Sequence, residues 1–172
     1  MIQIERGLSK EQVVERVRAE LDAHGFEIAE QDVTRPWGAF LRVANKDADK
    51  FIATYFDKTE IPKNARQGER SPKFLIVAPQ QRLSWQYHSR RAEWWRATNA
   101  DVGVFVSDTD EQPAQYMTLR VGETIELAQG VRHRLVGLDE WGVVAEIWIH
   151  SDPQNISDEN DIVRLQDDYA RN

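Results

Sequence analysis

Between Ala39 and Ile149 no apolar or alternating stretch runs beyond seven residues before a turn residue cuts it. The stretches are Ala39–Ala44, Phe51–Phe56, Phe74–Ala78, Leu83–His88, Trp94–Thr98, Val102–Val106, Tyr116–Val121, Thr124–Leu127, His133–Val136 and Val143–Ile149. Pro79, Asp101, Asp108–Asp110, Gly122, Gly130 and Gly137 fall between them. Helices of ordinary length cannot be cut this finely, whereas short strands joined by turns can. The expectation is an all-β barrel or sandwich of about ten strands.

One helix stands apart from this pattern. Ser9 and Gln12 have capping-box spacing, and Leu8 and Val13 are placed for a hydrophobic staple. Val13, Val14, Val17 and Leu21 then share one face, and Gly25 ends the run. Residues 1–34 are therefore expected to form an N-terminal helical segment. Residues 35–172 are expected to form the barrel and its C-terminal tail, within one structural domain. Lys58–Pro72 has no period and two prolines, and is expected to be a long loop, either a lid or a plain exposed excursion. Ser151–Asn172 is expected to pack as a short segment.

Charge and composition remove several function classes. Lys plus Arg number 22 against 29 Asp plus Glu, a net charge of −7. That disfavours sequence-independent binding to nucleic acid or to an anionic membrane, both of which need surplus cations. The absence of cysteine removes thiolate metal sites, disulfide scaffolds and cysteine nucleophiles. The opening Met1–Arg6 lacks the apolar core of a signal peptide, and Phe74–Ala78 is far too short to span a bilayer. A cytoplasmic location is expected.

The residues that carry chemistry cluster in two stretches. Gln86 and His88 are two apart on an expected strand, so their side chains leave the same face. Glu93 follows five residues later, far enough for a tight turn to return it beside them on the next strand. His133 comes shortly after the Gly130 turn. Two imidazoles, a carboxylate and an amide oxygen make a borderline donor set for zinc, manganese, cobalt or iron, with room for water or substrate. On the expected strand Val143–Ile149, Glu146 shares a side with Val144 and Trp148 and is expected to point inward. There it would be a general base, a buried partner for Arg134 or a group supporting His133. His24 and His150 are expected to be solvated.

The pattern Gln86-x-His88-x4-Glu93, followed by Gly122 and then Gly130-x2-His133, resembles the two cupin motifs, with glutamine where many cupins have the first histidine. Arg35-Pro36-Trp37-Gly38, Leu83-Ser84-x-Gln86-x-His88-x2-Arg91-Ala92-Glu93-x-Trp95, His133-Arg134 and Asp161-Ile162-Val163-Arg164-Leu165-x-Asp167-x-Tyr169-x-Arg171 occur in that order. Together they resemble the cupin isomerase domain of type II phosphomannose isomerases, a domain often fused behind a mannose-1-phosphate guanylyltransferase. No glycine-rich nucleotide-binding opening precedes the cupin-like part, so nucleotidyl transfer is not expected.

The resemblance implies a cupin jelly-roll barrel and the interconversion of mannose 6-phosphate and fructose 6-phosphate. It implies one divalent metal ion, zinc before manganese, cobalt or iron, held by Gln86, His88, Glu93 and His133. The catalytic candidates, Arg91 beside Glu93 and the inward Glu146, come from the residues themselves, and the general base stays open among the roles given for Glu146. For the substrate phosphate the resemblance implies Arg91, Arg164, Arg171, Lys73 and Arg134, whose cationic heads suit phosphate oxygens. A homodimer is the superfamily's habit. A cupin that only binds a sugar or sugar phosphate, and a cupin metal enzyme acting on another substrate, are the alternatives. One departure stands out: the family usually reads Glu-His-Trp where this chain has Glu93-Trp94-Trp95.

Overall fold

The structure is a computed structural model that describes residues 1–56, 61, 68–150, 152 and 154–169. Helix α1 (Lys10–Ala23) starts at Ser9, whose hydroxyl accepts from the Gln12 N–H while the Gln12 side chain accepts from the Ser9 N–H. A cap of this kind stabilises a helix by about 1 kcal/mol. Val13, Val14, Val17 and Leu21 are its buried stripe. A second helix, α2 (Ala48–Tyr55), replaces the strand expected at Phe51–Phe56. The reason is visible in its burial: Ala48, Phe51, Ile52 and Tyr55 are inside, a spacing of three, four and seven that only a helix places on one face.

The rest is β, in two antiparallel sheets. Strands β1 (Ile28–Asp32), β2 (Gly38–Val43), β3 (Lys73–Val77), β5 (Ala92–Ala97), β8 (Thr124–Leu127) and β10 (Gly142–Ile149) form a six-stranded sheet in the order β1-β2-β3-β10-β5-β8. Strands β4 (Trp85–Tyr87), β6 (Val102–Ser107), β7 (Met117–Leu119), β9 (Arg132–Gly137) and β11 (Val163–Gln166) form a five-stranded sheet in the order β11-β4-β9-β6-β7. Two of these strands, β1 and β11, went unread in the sequence. Both are short, mostly exposed strands at a sheet edge with few apolar residues to mark them. The Lys58–Pro72 expectation falls largely on residues outside those described.

Alternation along the six-stranded sheet sends side chains to two different layers. Leu41, Phe74, Ile76, Val143, Ala145 and Ile147 meet α1 and α2 in one apolar cluster. Leu75, Val77, Trp95, Ala97 and Val144 point the other way and meet Leu83, Val102, Val104 and Leu135 near or on the five-stranded sheet. β3 and β10 are consequently buried on both faces. Gly38 lets β2 close against β3: a Cβ there would lie 1.8 Å from the Ile76 carbonyl oxygen. This fixes Trp37, one residue earlier, against the layer between the sheets.

Candidate metal centre

The inward alternation turns polar at one end of the layer between the sheets. His88 follows β4, Glu93 lies on β5 and His133 on β9, so the two sheets contribute to one cluster. Gln86 and His133 are register partners across β4 and β9. The ligating atoms of His88, Glu93 and His133 all lie within 4.8 Å of one another. His88 Nε2 is 3.0 Å from Glu93 Oε1, and His133 Nε2 is 3.5 Å from Glu93 Oε2. Each of the three residues is only 2% exposed.

The ring orientations are set from behind. His88 Nδ1 faces the Asp161 carbonyl oxygen, and His133 Nδ1 faces the Val131 carbonyl oxygen at 2.9 Å. A carbonyl only accepts, so both Nδ1 atoms carry a proton, and both Nε2 atoms are turned toward Glu93. His133 Nε2 is buried with no hydrogen-bond partner among the described residues. Two imidazole nitrogens and a carboxylate converging on one point, with one nitrogen left unpaired, fit a divalent ion, and carbonyl-backed histidines are the usual support for one. Trp95 stands edge-on to His133 and donates its indole N–H to Glu93 Oε2 at 3.2 Å. Burial works against ionisation of Glu93, but the neighbouring His88 and the Arg91 guanidinium, with His133 close by, hold its carboxyl well below the usual range. Gln86 is buried beside the cluster, and its Oε1 accepts from Ser84 Oγ at 2.5 Å.

A cavity of about 120 Å³ opens beside this cluster, lined among others by Trp37, Lys73, Gln86, Arg91, Glu146 and Arg164. Glu146 faces inward, opposite Lys73 on β3 and Trp95 on β5. It accepts from Trp148 Nε1 at 3.0 Å and lies 3.5 Å from Lys73 Nζ. Burial, reinforced by the Glu93 charge and opposed by Lys73 and Arg91, pushes its carboxyl up to about 7. A carboxyl poised near neutrality in a cavity is suited to taking and returning a proton. Its charged partner is Lys73, not Arg134.

The expected cations have different fates. Arg91 is 4% exposed and stacks on Trp148 at 3.8 Å. Its Nε donates to Glu93 Oε1 at 2.9 Å and its Nη2 approaches His88 Nε2 at 3.3 Å. Nη1 is spent on Ser157 Oγ and the Asp158 and Asp161 carbonyls. Lys73 bridges Glu146 and Glu159, the latter at 3.2 Å. Arg164 is exposed and opposite Gln86 on β11, at the cavity wall.

Arg134 is not brought to the cavity. It follows His133 on β9, so it leaves the opposite face of the strand. There it donates to Leu83 O at 2.6 Å, to Gln112 Oε1 at 2.8 Å and to Asp168 Oδ1 at 3.3 Å, which ties down the C-terminal segment. Arg171 lies outside the described residues. His150, expected in solvent, is 6% exposed. Trp94 points away from Glu93 and packs against the helix-side cluster, so the departure at this position does not touch the cavity. Arg35 lines the cavity without having been singled out; its place beside Trp37 in the Arg35–Gly38 motif was the available signal.

No protein-family model matches the chain, and no curated protein matches it in sequence. Solved structures do match. Procruciferin, the 11S globulin of Brassica napus, superposes with a TM-score of 0.53 at 13% identity, covering 81% of this chain and 30% of its own. The capsular polysaccharide assembling protein CapF from Staphylococcus aureus gives 0.51 at 12% identity, covering 82% and 34%. Oxalate oxidase in complex with the substrate analogue glycolate gives 0.44 at 16% identity, covering 55% and 45%. The chain spans less than half the length of each of these proteins. At such identities the likeness speaks for the fold alone, and the fold is that of the cupins.

Proposed function

We propose that the chain is a metal-dependent aldose–ketose isomerase of a sugar phosphate, with mannose 6-phosphate and fructose 6-phosphate as the first pair to test. The observation that carries this proposal is the placement of Glu146, a buried carboxyl pushed up to about 7, in the cavity that His88 and Glu93 of the cluster also line. Aldose–ketose exchange moves a proton between C2 and C1 while charge develops on the neighbouring oxygens. Glu146 as the carboxylate takes the proton from C2, holds it as the neutral acid and returns it to C1, while the hydroxyl proton passes from O2 to O1; Lys73 steadies the carboxylate before and after the transfer. A divalent ion held by His88, Glu93 and His133, with Gln86 beside them, would supply Lewis-acid stabilisation of the developing oxygen charge.

Arg91 belongs to the reacting end, because its guanidinium already touches Glu93 and His88. The phosphate falls to Arg164 at the mouth, with Lys73 deeper in the cavity. Trp37, Trp95 and Trp148 exclude water around these charges, which strengthens each interaction.

The test is a coupled assay for fructose 6-phosphate formed from mannose 6-phosphate in the presence of zinc, manganese or cobalt. Turnover that saturates with substrate supports the proposal. Absence of turnover with every metal, alongside calorimetric binding of the same sugar phosphate, would replace it with a cupin that binds without reacting. A homodimer is proposed on the superfamily's habit alone, and light scattering showing a clean monomer would remove it.

A further inference from the structure

Among the described residues of the segment between β10 and β11, Asp161 makes the contact with His88. Asp161 is 5% exposed and has a filled shell of donors. Its Oδ1 accepts from the Ser89 N–H at 2.9 Å and from Ser89 Oγ at 2.7 Å. Its Oδ2 accepts from the Arg90 N–H at 2.9 Å and from Ser157 Oγ at 2.7 Å. The carboxylate therefore clamps the β4–β5 turn, the four-residue connection that sets His88 against Glu93. With the side chain clamped, the Asp161 carbonyl reaches back to His88 Nδ1 and to Arg91 Nη1, the latter at 3.2 Å. Ser157 completes the ring by accepting from Arg91 Nη1 at 2.8 Å while donating to Asp161.

We infer that Asp161 is a positioning residue for the metal centre: its carboxylate holds the β4–β5 turn, and its own carbonyl thereby fixes the His88 tautomer and the Arg91 guanidinium. The segment it anchors continues into β11, where Arg164 stands opposite Gln86, so the same clamp presents the cation at the cavity wall. Burial alone would raise the Asp161 carboxyl, but the hydrogen bonds from Ser157, Ser89 and Arg90 outweigh it and hold the group down at about 2. An asparagine in its place keeps one accepting oxygen and turns an N–H₂ toward the Ser157 hydroxyl and the Arg90 N–H, which breaks half of the ring.

The inference rests on the metal proposal in one arm of its test and not in the other. The first arm titrates cobalt(II) into the wild-type protein and Asp161→Asn, following visible absorption. Loss of a group that supports a ligating histidine weakens metal affinity by about tenfold to a hundredfold, and that loss is expected here, with an altered cobalt spectrum. The second arm records long-range 15N–1H spectra of the imidazoles in metal-free protein. A single Nδ1–H tautomer for His88 is expected in the wild type and a mixture in Asp161→Asn. Ser157→Ala, which leaves the carboxylate in place, is the milder variant should Asp161→Asn fail to fold. It is expected to move both readouts in the same direction by less. Affinity within twofold of wild type and an unchanged His88 tautomer, in whichever of the two variants folds, would overturn the inference. If wild type takes up no cobalt, the metal proposal fails, and the tautomer arm alone decides for or against the positioning role.

Discussion

Strand β10 runs along two environments at once, and its two faces have been put to different uses. Val143, Ala145 and Ile147 face α1 and α2 in a wholly apolar layer. Val144, Glu146 and Trp148 face the five-stranded sheet, where the layer is apolar around Val144 and polar around Glu146. Backbone, strand and burial are the same on both faces, so only side-chain chemistry separates them. The helix face contributes packing and nothing else. The inward face gives up some apolar burial to hold Lys73, Glu93, Arg91 and Glu146 out of water, an arrangement tolerated only because each charge has partners. The candidate site is thus an interruption of one apolar layer, while the layer against the helices stays apolar.

The sharpest way to break this division is to neutralise the inward face alone. Glu146→Gln keeps the shape and the Trp148 contact but removes the base. Turnover is expected to fall by about a hundredfold to ten-thousandfold, with cobalt affinity retained; equal loss of both would mean that Glu146 holds the cluster together instead. The pH dependence sharpens the same point. Because burial raises the Glu146 carboxyl, kcat/KM should rise with pH above the ordinary carboxylate range as Glu146 ionises. Stability should move the opposite way in metal-free protein. The folded group stays protonated after the unfolded one has ionised, so its contribution is complete below the unfolded pKa and is lost as pH rises toward about 7. Denaturant titrations of wild type and Glu146→Gln across pH 4 to 8 check this, and parallel curves would contradict it.

On the opposite face the expected signature reverses. Ile147→Ala deletes a fully buried side chain and should cost about 2 to 5 kcal/mol of stability. Activity per folded molecule should hold at temperatures where the variant remains folded. A fall in kcat at unchanged fold would show that the two faces are coupled. The smallest effect is expected at Trp94→His, which installs the residue that the motif this stretch resembles has at that position. Trp94 packs on the helix side, so turnover should stay within about threefold and only the melting temperature should drop. A large gain in activity would mean that the side chain reaches the cavity.

Much of the inward face was legible in the sequence because strand alternation is a strict period of two. Gln86 and His88 had to share a face, and a short turn had to bring Glu93 back to them. The same period applied to β9 separates Arg134 from His133 and turns it away from the cavity. Glu146 could be placed inward from Val144 and Trp148, but its partner Lys73 is a cross-strand neighbour 73 positions away and leaves no local trace. α2 was hidden because Phe51–Phe56 alone is too short to tell a helical stripe from an apolar strand; Ala48 outside that window settles it. The role of Asp161 was the least legible, since it depends on a segment far along the chain folding back onto the β4–β5 turn.

The central claim is that the cluster of His88, Glu93 and His133 holds a divalent ion on which turnover depends. It is tested most directly by measuring fructose 6-phosphate formation from mannose 6-phosphate by one preparation before chelation, after chelation and after replenishment with zinc, manganese or cobalt. The account predicts activity that is lost on chelation and restored by at least one metal in wild type, and by none in Glu93→Gln. Equal rates in the stripped and replenished protein would contradict it.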